Sequence, residues 1–350
     1  MIQKKLTLFP ATRNTCAVTR YASSLVGYEL VALLAPSFLR LDGADVAHVD
    51  GGLLAEFVVS DYSSEKLSKC DTIYIDYDVN LTDLQIYQDV IDDAEKMGKK
   101  VILSHQLSQM LEKTIFETIS IERESLYEIP VPVIAVLPQG LHTGQFAVEL
   151  ALSKYFTEKG YKAAQIGSCE AGTFFGFEAL PDFMYSSWDA GEKIIAFNHH
   201  VRKLVRKTKP DILIIGSYNP IMRYSNKILS GLGVLPYIMC SAVRPDAAIV
   251  SLHYNMYPKE FFEKLSLYCN YHLGCEAKYF NISNVTSSPN AGDDNKLDYL
   301  TIQSSFVMQN IQKKMTYDDI DVFTELIEES VTRTYTTLER ELTGNIQNLI

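Results

Sequence analysis

Short apolar runs alternate along the chain with longer segments in which apolar residues recur every three or four positions. In the first third of the chain, the longer spacing predicts a helix over Leu81–Met97, which Gly98 ends. The short runs predict strands at Leu6–Phe9, Tyr28–Leu34, Thr72–Ile75 and Val101–Leu103. Strands that alternate with helices are typical of βαβ units, so we predict a parallel sheet with helices on both faces.

The same alternation continues in the second half of the chain. We predict strands at Val133–Leu137, Ala163–Ile166, Ile212–Ile215, Leu235–Met239, Ala247–Leu252 and Ala277–Asn281, and helices at Gln145–Lys159, Gly191–Lys207 and Pro258–Tyr268. The predicted fold class is therefore α/β, with two open and mostly parallel sheets, of which the N-terminal one is Rossmann-like.

Polar and turn-forming segments suggest how the chain divides. The polar segment Glu112–Glu128 leads into Pro130 and Pro132, and we place a domain junction there. The predicted domains are residues 1–128, residues 129–285 and a C-terminal segment of residues 286–350. In that segment, 284–295 is predicted to be a surface loop and Tyr317–Leu342 a long amphipathic helix. The helix packs on its own sheet or on a second copy as a homodimer, and the pattern leaves both open.

Composition limits the classes of function. Hydrophobic residues make up 47% of the chain, and the net charge of −11 argues against nucleic acid as a partner. Apolar runs are far shorter than the roughly 20 residues of a membrane span, and the N-terminus has no secretory pattern. We therefore expect a cytoplasmic protein without a membrane partner.

The six cysteines are scattered and form no C-x-x-C pair. Cys269 and Cys275 flank His272, but no fourth ligand is visible and zinc prefers four. Because cysteine is commonly a buried side chain, we predict no metal site there.

The segment that joins the strand at 133–137 to the next helix is laid out like a phosphate-binding P-loop. A working P-loop reads G-x-x-x-x-G-K-[ST], with the lysine on the phosphates and the hydroxyl on magnesium. If Gly144 is the second glycine, Gln139 replaces the first, Gln145 replaces the lysine and Phe146 replaces the hydroxyl residue. The second domain is thus predicted to be a degenerate P-loop-like domain.

Backbone N–H groups at a helix start can bind an anion even without the lysine. Our candidates for a ligand or anion site are Gly140, His142, Thr143, Gly144, Gln145, Ser168 and Ser217. The acid that usually holds magnesium at a strand end is absent, since the strand at 212–215 runs into Gly216 and Ser217. We therefore expect no catalytic constellation for ATP hydrolysis.

A long aromatic-rich segment follows the strand at 163–166, and long loops in α/β proteins are often functional. Phe174, Phe175, Phe177 and Asp182 are candidates for binding a peptide or a partner protein, since aromatic residues are enriched in interface cores. Cys169 beside Glu170 reads either as a nucleophile with its base or as a small buried thiol, and the buried thiol is favoured.

Strand ends in the first half place Asp61, Asp76 and His105 at the carboxyl edge of the sheet, where open α/β sheets bind ligands. No G-x-G-x-x-G follows any strand there, so a dinucleotide-type ligand around Pro10–Asn14 and Asp76 remains a minor alternative.

The order of several short motifs resembles the bacterial peptide maturation system protein family. These motifs include Leu8–Pro10, Gly27–Val31, Asp50–Gly52, Val131–Ile134, Gln165–Ser168, Pro181–Met184, Lys209–Asp211 and Asn281–Asn284. The second half also resembles P-loop proteins related to dethiobiotin synthetase and nitrogenase-iron-protein-like ATPases. In that wider family a Glu-Gly pair follows the strand, where this chain has Ile215-Gly216.

The resemblance implies an accessory role beside radical SAM enzymes in making a ribosomally synthesised, modified peptide. The implied partners are the precursor peptide, the radical SAM enzyme, or both. The resemblance carries no catalytic residue over to this chain. We expect a binding protein that needs no cofactor, and the alternative is a nucleotide-dependent ligase or phosphoryl-transfer enzyme that uses ATP and magnesium at residues 139–146.

Overall fold

The computed structural model describes residues 3–112, 125–293, 296–315, 317 and 319–347. The chain forms two compact units: unit 1 is residues 1–115 with residues 169–179, and unit 2 is residues 116–168 with residues 180–350. Most of the polar segment in which we placed the domain junction lies outside the described residues.

Unit 1 is a five-stranded sheet with helices between its strands. Its elements are β1 (Lys4–Phe9), α1 (Arg13–Arg20), β2 (Tyr28–Ala35), α2 (Ala47–Asp50), β3 (Val59–Asp61), α3 (Ser64–Leu67), β4 (Thr72–Ile75), α4 (Leu84–Lys96), β5 (Lys100–Leu103) and α5 (His105–Met110). All strand pairs are parallel, in the order β3-β2-β1-β4-β5.

The strand order of unit 1 changes direction between β1 and β4, because the chain steps outward on one side and then on the other. Open α/β sheets bind ligands at such a switch point. Helix α1 starts directly after β1, and a capping box of Thr12 and Thr15 fixes its first turn. The predicted Rossmann-like, parallel architecture of the first half is confirmed.

Unit 2 contains a six-stranded sheet and a separate hairpin. Its elements are β6 (Val133–Pro138), α6 (Gln145–Glu158), β7 (Ala163–Ile166), α7 (Ala190–Thr208), β8 (Ile212–Gly216), α8 (Val234–Val243), β9 (Ala247–Leu252), α9 (Lys259–Tyr268), β10 (Ala277–Ile282), β11 (Val285–Pro289), β12 (Leu297–Thr301), α10 (Ser304–Lys314), β13 (Asp321–Phe323) and α11 (Glu328–Gln347). The sheet order is β13-β10-β9-β6-β8-β7, and every pair in it is parallel.

Strand β6 lies in the middle of this sheet and is buried along its whole length. Both of its faces are covered, which explains its unbroken apolar sequence VIAVLP. The chain leaves β6 between β8 and β9, so the loop before α6 sits at the switch point of unit 2.

Three predicted elements of unit 2 differ from the structure. The expected strand at Leu235–Met239 is part of helix α8, since an apolar run this short has no period that separates a buried strand from a buried helix. The expected surface loop at 284–295 contains the antiparallel hairpin β11–β12. The predicted helix at 317–342 instead begins at Glu328, and the edge strand β13 precedes it.

Helix α11 packs on α6 of its own unit. The Tyr335 hydroxyl donates to the Val148 carbonyl at 3.3 Å, and the Tyr155 hydroxyl donates to Glu339 Oε2 at 2.7 Å. Burial of Tyr335 and Leu338 shows that the apolar stripe of this helix faces its own unit.

Candidate functional site

The loop between β6 and α6 runs from Gln139 to Gly144 and turns through left-handed backbone conformations. His142 has φ of 61° and Gly144 has φ of 76°, and Gly144 is the N-cap of α6. Glycine adopts this conformation without steric cost, which accounts for Gly144. Left-handed residues that alternate with right-handed ones turn successive N–H groups toward one side of the chain.

Several N–H groups of this loop have no acceptor in the part of the chain that the structure describes. They belong to Gly140, Leu141, Thr143 and Gly144. The first amides of α6 also lack an intrahelical partner, as at every helix start. The loop therefore offers a row of donors at the positive end of a helix dipole, which suits an anionic group.

His253 lies against this loop from the end of β9. Its Nε2 is 2.6 Å from the Leu141 carbonyl oxygen, and its ring occupies the space where a Cβ atom at Gly140 would stand. A carbonyl oxygen only accepts, so Nε2 carries the hydrogen and Nδ1 of the neutral ring is an acceptor. The Ser287 hydroxyl, 3.1 Å away, then donates to Nδ1.

The hairpin β11–β12 brings a second aromatic side chain to the same place. Tyr299 pairs across the hairpin with Ser287, and its ring centroid is 4.6 Å from that of His142 and 5.8 Å from that of His253. Burial raises the pKa of Tyr299 to about 12, so its hydroxyl stays protonated at neutral pH.

Sequence reasoning missed His253, Ser287 and Tyr299. They come from β9 and from the hairpin, more than 100 residues after the loop. The only local signal was the position of His253 directly after an apolar strand, at the carboxyl edge of the sheet.

The two positions that carry P-loop chemistry hold different side chains here. Gln145 is uncharged, and its Oε1 is 3.4 Å from the Thr143 hydroxyl. Thr143 is buried and also lies 3.2 Å from the Gly140 carbonyl. Phe146 is 2% exposed and belongs to the packed interior. Neither position supplies the cation or the magnesium-binding hydroxyl.

A third difference is at the end of β8, where Gly216 stands. The carboxyl group of Glu149, from the second turn of α6, fills the space where a Cβ atom at Gly216 would be. Any side chain at position 216 would collide with this carboxyl group. The strand-end acid is thus absent, and the space for it is taken by an acid from the helix.

Glu149 is fully buried, and its two oxygens differ. Oε2 accepts from Gln165 Nε2 at 3.2 Å and from the Ser168 N–H at 3.0 Å. Oε1 has no partner among the described residues, nor do Gln165 Oε1 and Ser168 Oγ. Burial raises the pKa of Glu149 to about 7, against the hydrogen bonds from Ser168 and Gln165 that lower it.

These residues do not fit magnesium–ATP in the P-loop manner. Binding and turnover there need a lysine, a hydroxyl next to it and an accessible acid for the metal. The corresponding positions hold Gln145, Phe146 and Gly216, and the nearby Glu149 is enclosed. The donors that remain are backbone amides, which recognise an anion without activating it.

The other two predicted anion ligands, Ser168 and Ser217, make hydrogen bonds within the protein. The Ser168 amide holds Glu149, as described above. Ser217 is buried at the end of β8, and its hydroxyl donates to the Asn219 carbonyl at 3.0 Å. Their role in ligand binding stays a prediction.

The aromatic segment after β7 is largely packed away. In unit 1, Phe174 is 1% exposed and its ring lies 5.0 Å from Tyr28 and 5.8 Å from Tyr74. Phe177 is buried as well, and Phe175 is half-buried. In unit 2, Asp182 is exposed. Partner binding by these four residues stays a prediction, with the exposed surface supplied by Asp182 and part of Phe175.

Cys169 is a buried thiol of unit 1. Its Sγ is 3.6 Å from the Tyr74 hydroxyl, and burial holds the pKa of the thiol well above its ordinary value. A nucleophilic cysteine needs a lowered pKa. The buried-thiol interpretation is the one that this environment favours.

Polar side chains also meet at the switch point of unit 1. The Thr12 hydroxyl donates to Asp76 Oδ2 at 2.7 Å, and Asn14 Nδ2 lies 3.4 Å from the same oxygen. Asp76 is buried, and burial raises its pKa. These contacts connect the end of β4 to the start of α1. They favour a structural role for Asp76.

The Cys269, His272 and Cys275 trio has no metal-like geometry. Both thiols are buried, whereas the His272 ring lies 5.0 Å from Tyr268 and 5.6 Å from Tyr237. In the described parts of the chain, no three His, Cys, Asp or Glu side chains gather as a metal site. No described helix is long and apolar enough to span a bilayer.

Comparisons with known proteins show the fold. No protein-family model matches the chain, and no curated protein does. The crystal structure of a DUF1611 family protein from Anabaena variabilis aligns with 97% of this chain and 99% of that chain, with a TM-score of 0.62 and 11% sequence identity. At this identity the similarity shows a shared α/β fold and nothing about activity.

A second solved structure is a pseudomurein peptide ligase type C from Methanothermus fervidus. It aligns with 71% of this chain and 38% of that chain, with a TM-score of 0.27 and 10% identity. A similarity this low supports no inference about this chain.

Proposed function

We propose that this protein is a cytoplasmic accessory protein in the maturation of a ribosomally synthesised peptide. In this proposal it binds the precursor peptide or the radical SAM enzyme that modifies it, and it does not turn over ATP. The motif order along residues 1–285 supports the peptide context. The loop at residues 139–146 supports binding without turnover.

The observation that carries the proposal is the chemistry of this loop. The N–H groups of Gly140, Leu141, Thr143 and Gly144 have no acceptor among the residues that the structure describes. Uncharged or apolar side chains stand where the lysine and the hydroxyl of a P-loop would be. Amide donors at a helix start bind carboxylates as well as phosphates. A peptide carboxylate, from a side chain or the C-terminus, is therefore a suitable ligand.

Exposed apolar side chains support a protein partner. The connection between β2 and β3 in unit 1 carries Phe38, Leu39, Leu53, Leu54 and Val58, of which Leu54 is 77% exposed. The Arg20–Asp50 ion pair at 2.7 Å and a bond from Arg20 to the Leu53 carbonyl hold the middle of this connection in place. Protein surfaces normally carry large apolar side chains singly, so five of them in one connection support an interaction surface there.

Co-purification tests the proposal. The tagged full-length chain should recover the radical SAM enzyme or the precursor peptide encoded beside it, and Leu54→Glu should weaken recovery at least fivefold. Met97→Glu, another exposed apolar position of unit 1, is the matched control and should leave recovery unchanged. Recovery of neither protein would contradict the accessory role.

A second candidate function is a nucleotide-dependent ligase or phosphoryl-transfer enzyme. The unpaired loop amides favour it, since phosphate is one of the anions they suit. It requires magnesium-dependent ATP binding by calorimetry that is lost in Gly144→Trp. If calorimetry finds no magnesium–ATP binding, this candidate is excluded and the accessory proposal stands on the co-purification alone.

A further inference from the structure

Three groups beside the loop are arranged as nucleophile, base and orienting group. Ser287 Oγ is 3.1 Å from His253 Nδ1, and His253 Nε2 is 2.6 Å from the Leu141 carbonyl oxygen. A hydroxyl bonded to an imidazole whose other nitrogen is fixed is the geometry of nucleophilic catalysis.

The two hydrogen bonds of the His253 ring indicate which nitrogen carries the hydrogen. The Leu141 carbonyl requires the hydrogen on Nε2, so the neutral ring presents its basic lone pair at Nδ1 to the Ser287 hydroxyl. His253 is 5% exposed, so its ring is largely shielded from water, and Ser287 is half-buried. The ring is therefore held in the tautomer that accepts the serine proton.

The same loop carries donors for a developing negative charge. The N–H groups of Gly140, Thr143 and Gly144 have no acceptor in the described chain, and Gly140 is in contact with the His253 ring. Backbone N–H groups that face a reacting carbonyl stabilise its oxyanion. Nucleophile, base and donors thus belong to one end of the unit 2 sheet.

We propose that Ser287 is a nucleophile with His253 as its general base, and that the pair transfers the acyl group of a carboxylic ester. This activity goes beyond the binding role proposed above and does not depend on it.

In the first step, Ser287 Oγ attacks the ester carbonyl carbon and Nδ1 of His253 takes the hydroxyl proton. The bond to the alcohol breaks, and the imidazolium gives the same proton to the departing alcohol, which leaves an acyl ester on Ser287. In the second step, water attacks this ester through the same base. The acid is released and Ser287 regains its proton, so ester and water give acid and alcohol.

The hairpin itself provides a matched control. Successive side chains of a strand point to opposite faces, so Ser288 points away from His253, and it is exposed. Ser288 has the same hydroxyl in the same strand without a base. If Ser287 reacts and Ser288 does not, the reactivity comes from the His253–Ser287 pair. If both serines react equally, it comes from exposure of the hydroxyl groups.

The test uses a fluorophosphonate probe on the full-length chain, with the labelled residue located by peptide mass spectrometry. Attack by serine breaks the P–F bond, forms an O–P bond and releases HF. We expect labelling at Ser287 in the wild type and in Ser288→Ala, and none in Ser287→Ala. Hydrolysis of p-nitrophenyl acetate should follow the same pattern.

His253→Gln tests the base without removing the bond to Leu141, because the glutamine amide still has an N–H to donate. Its labelling rate should fall about 100-fold, the usual contribution of a general base. A thermal melt of His253→Gln verifies that it is folded. The inference is overturned if Ser287 of the wild type is not labelled, if Ser288 is labelled instead, or if folded His253→Gln reacts at the wild-type rate. Co-purification of the partner is a separate readout that none of these outcomes changes.

Discussion

At the scale of single residues, Glu149 is the group whose protonation the structure ties to stability. Its carboxyl group is fully buried, and Oε1 has no hydrogen-bond partner among the described residues. Burial disfavours the charged form of such a group. This explains why the folded chain favours the neutral acid.

The raised pKa of Glu149 predicts a pH dependence with a defined sign. Between the ordinary carboxyl pKa of 4.5 and the folded pKa of about 7, the unfolded chain loses the proton while the folded chain keeps it. Stability from this group is therefore present below pH 4.5, is lost as the pH rises to about 7, and then changes no further. A shift of this size corresponds to about 3 kcal/mol.

Glu149→Gln should remove this pH-dependent loss of stability, since an amide is neutral at every pH in this range. Urea unfolding from pH 4.5 to 8 should show the variant gaining on the wild type by up to about 3 kcal/mol. Glu158→Gln, an exposed site of the same helix, is the control and should leave the pH profile unchanged. Parallel profiles for Glu149→Gln and the wild type would mean that Glu149 is ionised in the fold.

At the scale of elements, the packing of α6 on β8 depends on the missing side chain at Gly216. Its backbone is not in the left-handed region, and the atoms nearest to an added methyl group would be those of the Glu149 carboxyl group. Gly216→Ala should destabilise unit 2 by about 1–3 kcal/mol, as overpacked core variants do. Chemical denaturation measures the loss.

A double variant separates this contact from a general effect of alanine in a strand. In the Glu149→Ala background the methyl group of Gly216→Ala has room. The loss of unfolding free energy caused by Gly216→Ala should therefore be smaller there than in the wild type, by more than about 0.5 kcal/mol. Additive costs would show that the two side chains do not compete for space.

The elements also show which parts of this structure a sequence can predict. Strands such as β6 were predictable because a strand covered on both faces is apolar throughout, and the loop before α6 was predictable from its glycines and its place between strand and helix. Helix α8 was not, because its residues are apolar on all sides and give no period.

The missed part of the site has a different cause. His253 and Ser287 meet the loop only because β9 lies beside β6 and the hairpin follows β10, which is a pairing between segments distant in sequence. No local pattern around Ser287 distinguishes it from Ser288, since both stand in a polar, turn-like stretch. Topology, rather than composition, assembles this site.

At the scale of the whole molecule, the loop makes a prediction that separates anion binding from nucleotide turnover. A net charge of −11 works against anions in general, so binding at the loop must come from its local donors and from the charge next to them. Gln145 is the first residue of α6 and is half-buried, so its side chain sets that charge. Attraction between a partly exposed side-chain charge and a bound anion contributes up to about 1 kcal/mol, or about fivefold in affinity.

Inorganic phosphate should therefore raise the melting temperature of the wild type in a concentration-dependent way, by mass action. Gln145→Lys should bind phosphate about fivefold more tightly and Gln145→Glu about fivefold more weakly, since each adds one charge beside the anion. Lys154→Gln, on an exposed turn of the same helix, controls for net charge and should leave the affinity close to the wild-type value.

Gln145→Lys should still not hydrolyse magnesium–ATP, because Phe146 and Gly216 leave the metal without its hydroxyl and its acid. Hydrolysis by this single variant would show that the loop needs only a cation to act as an ATPase.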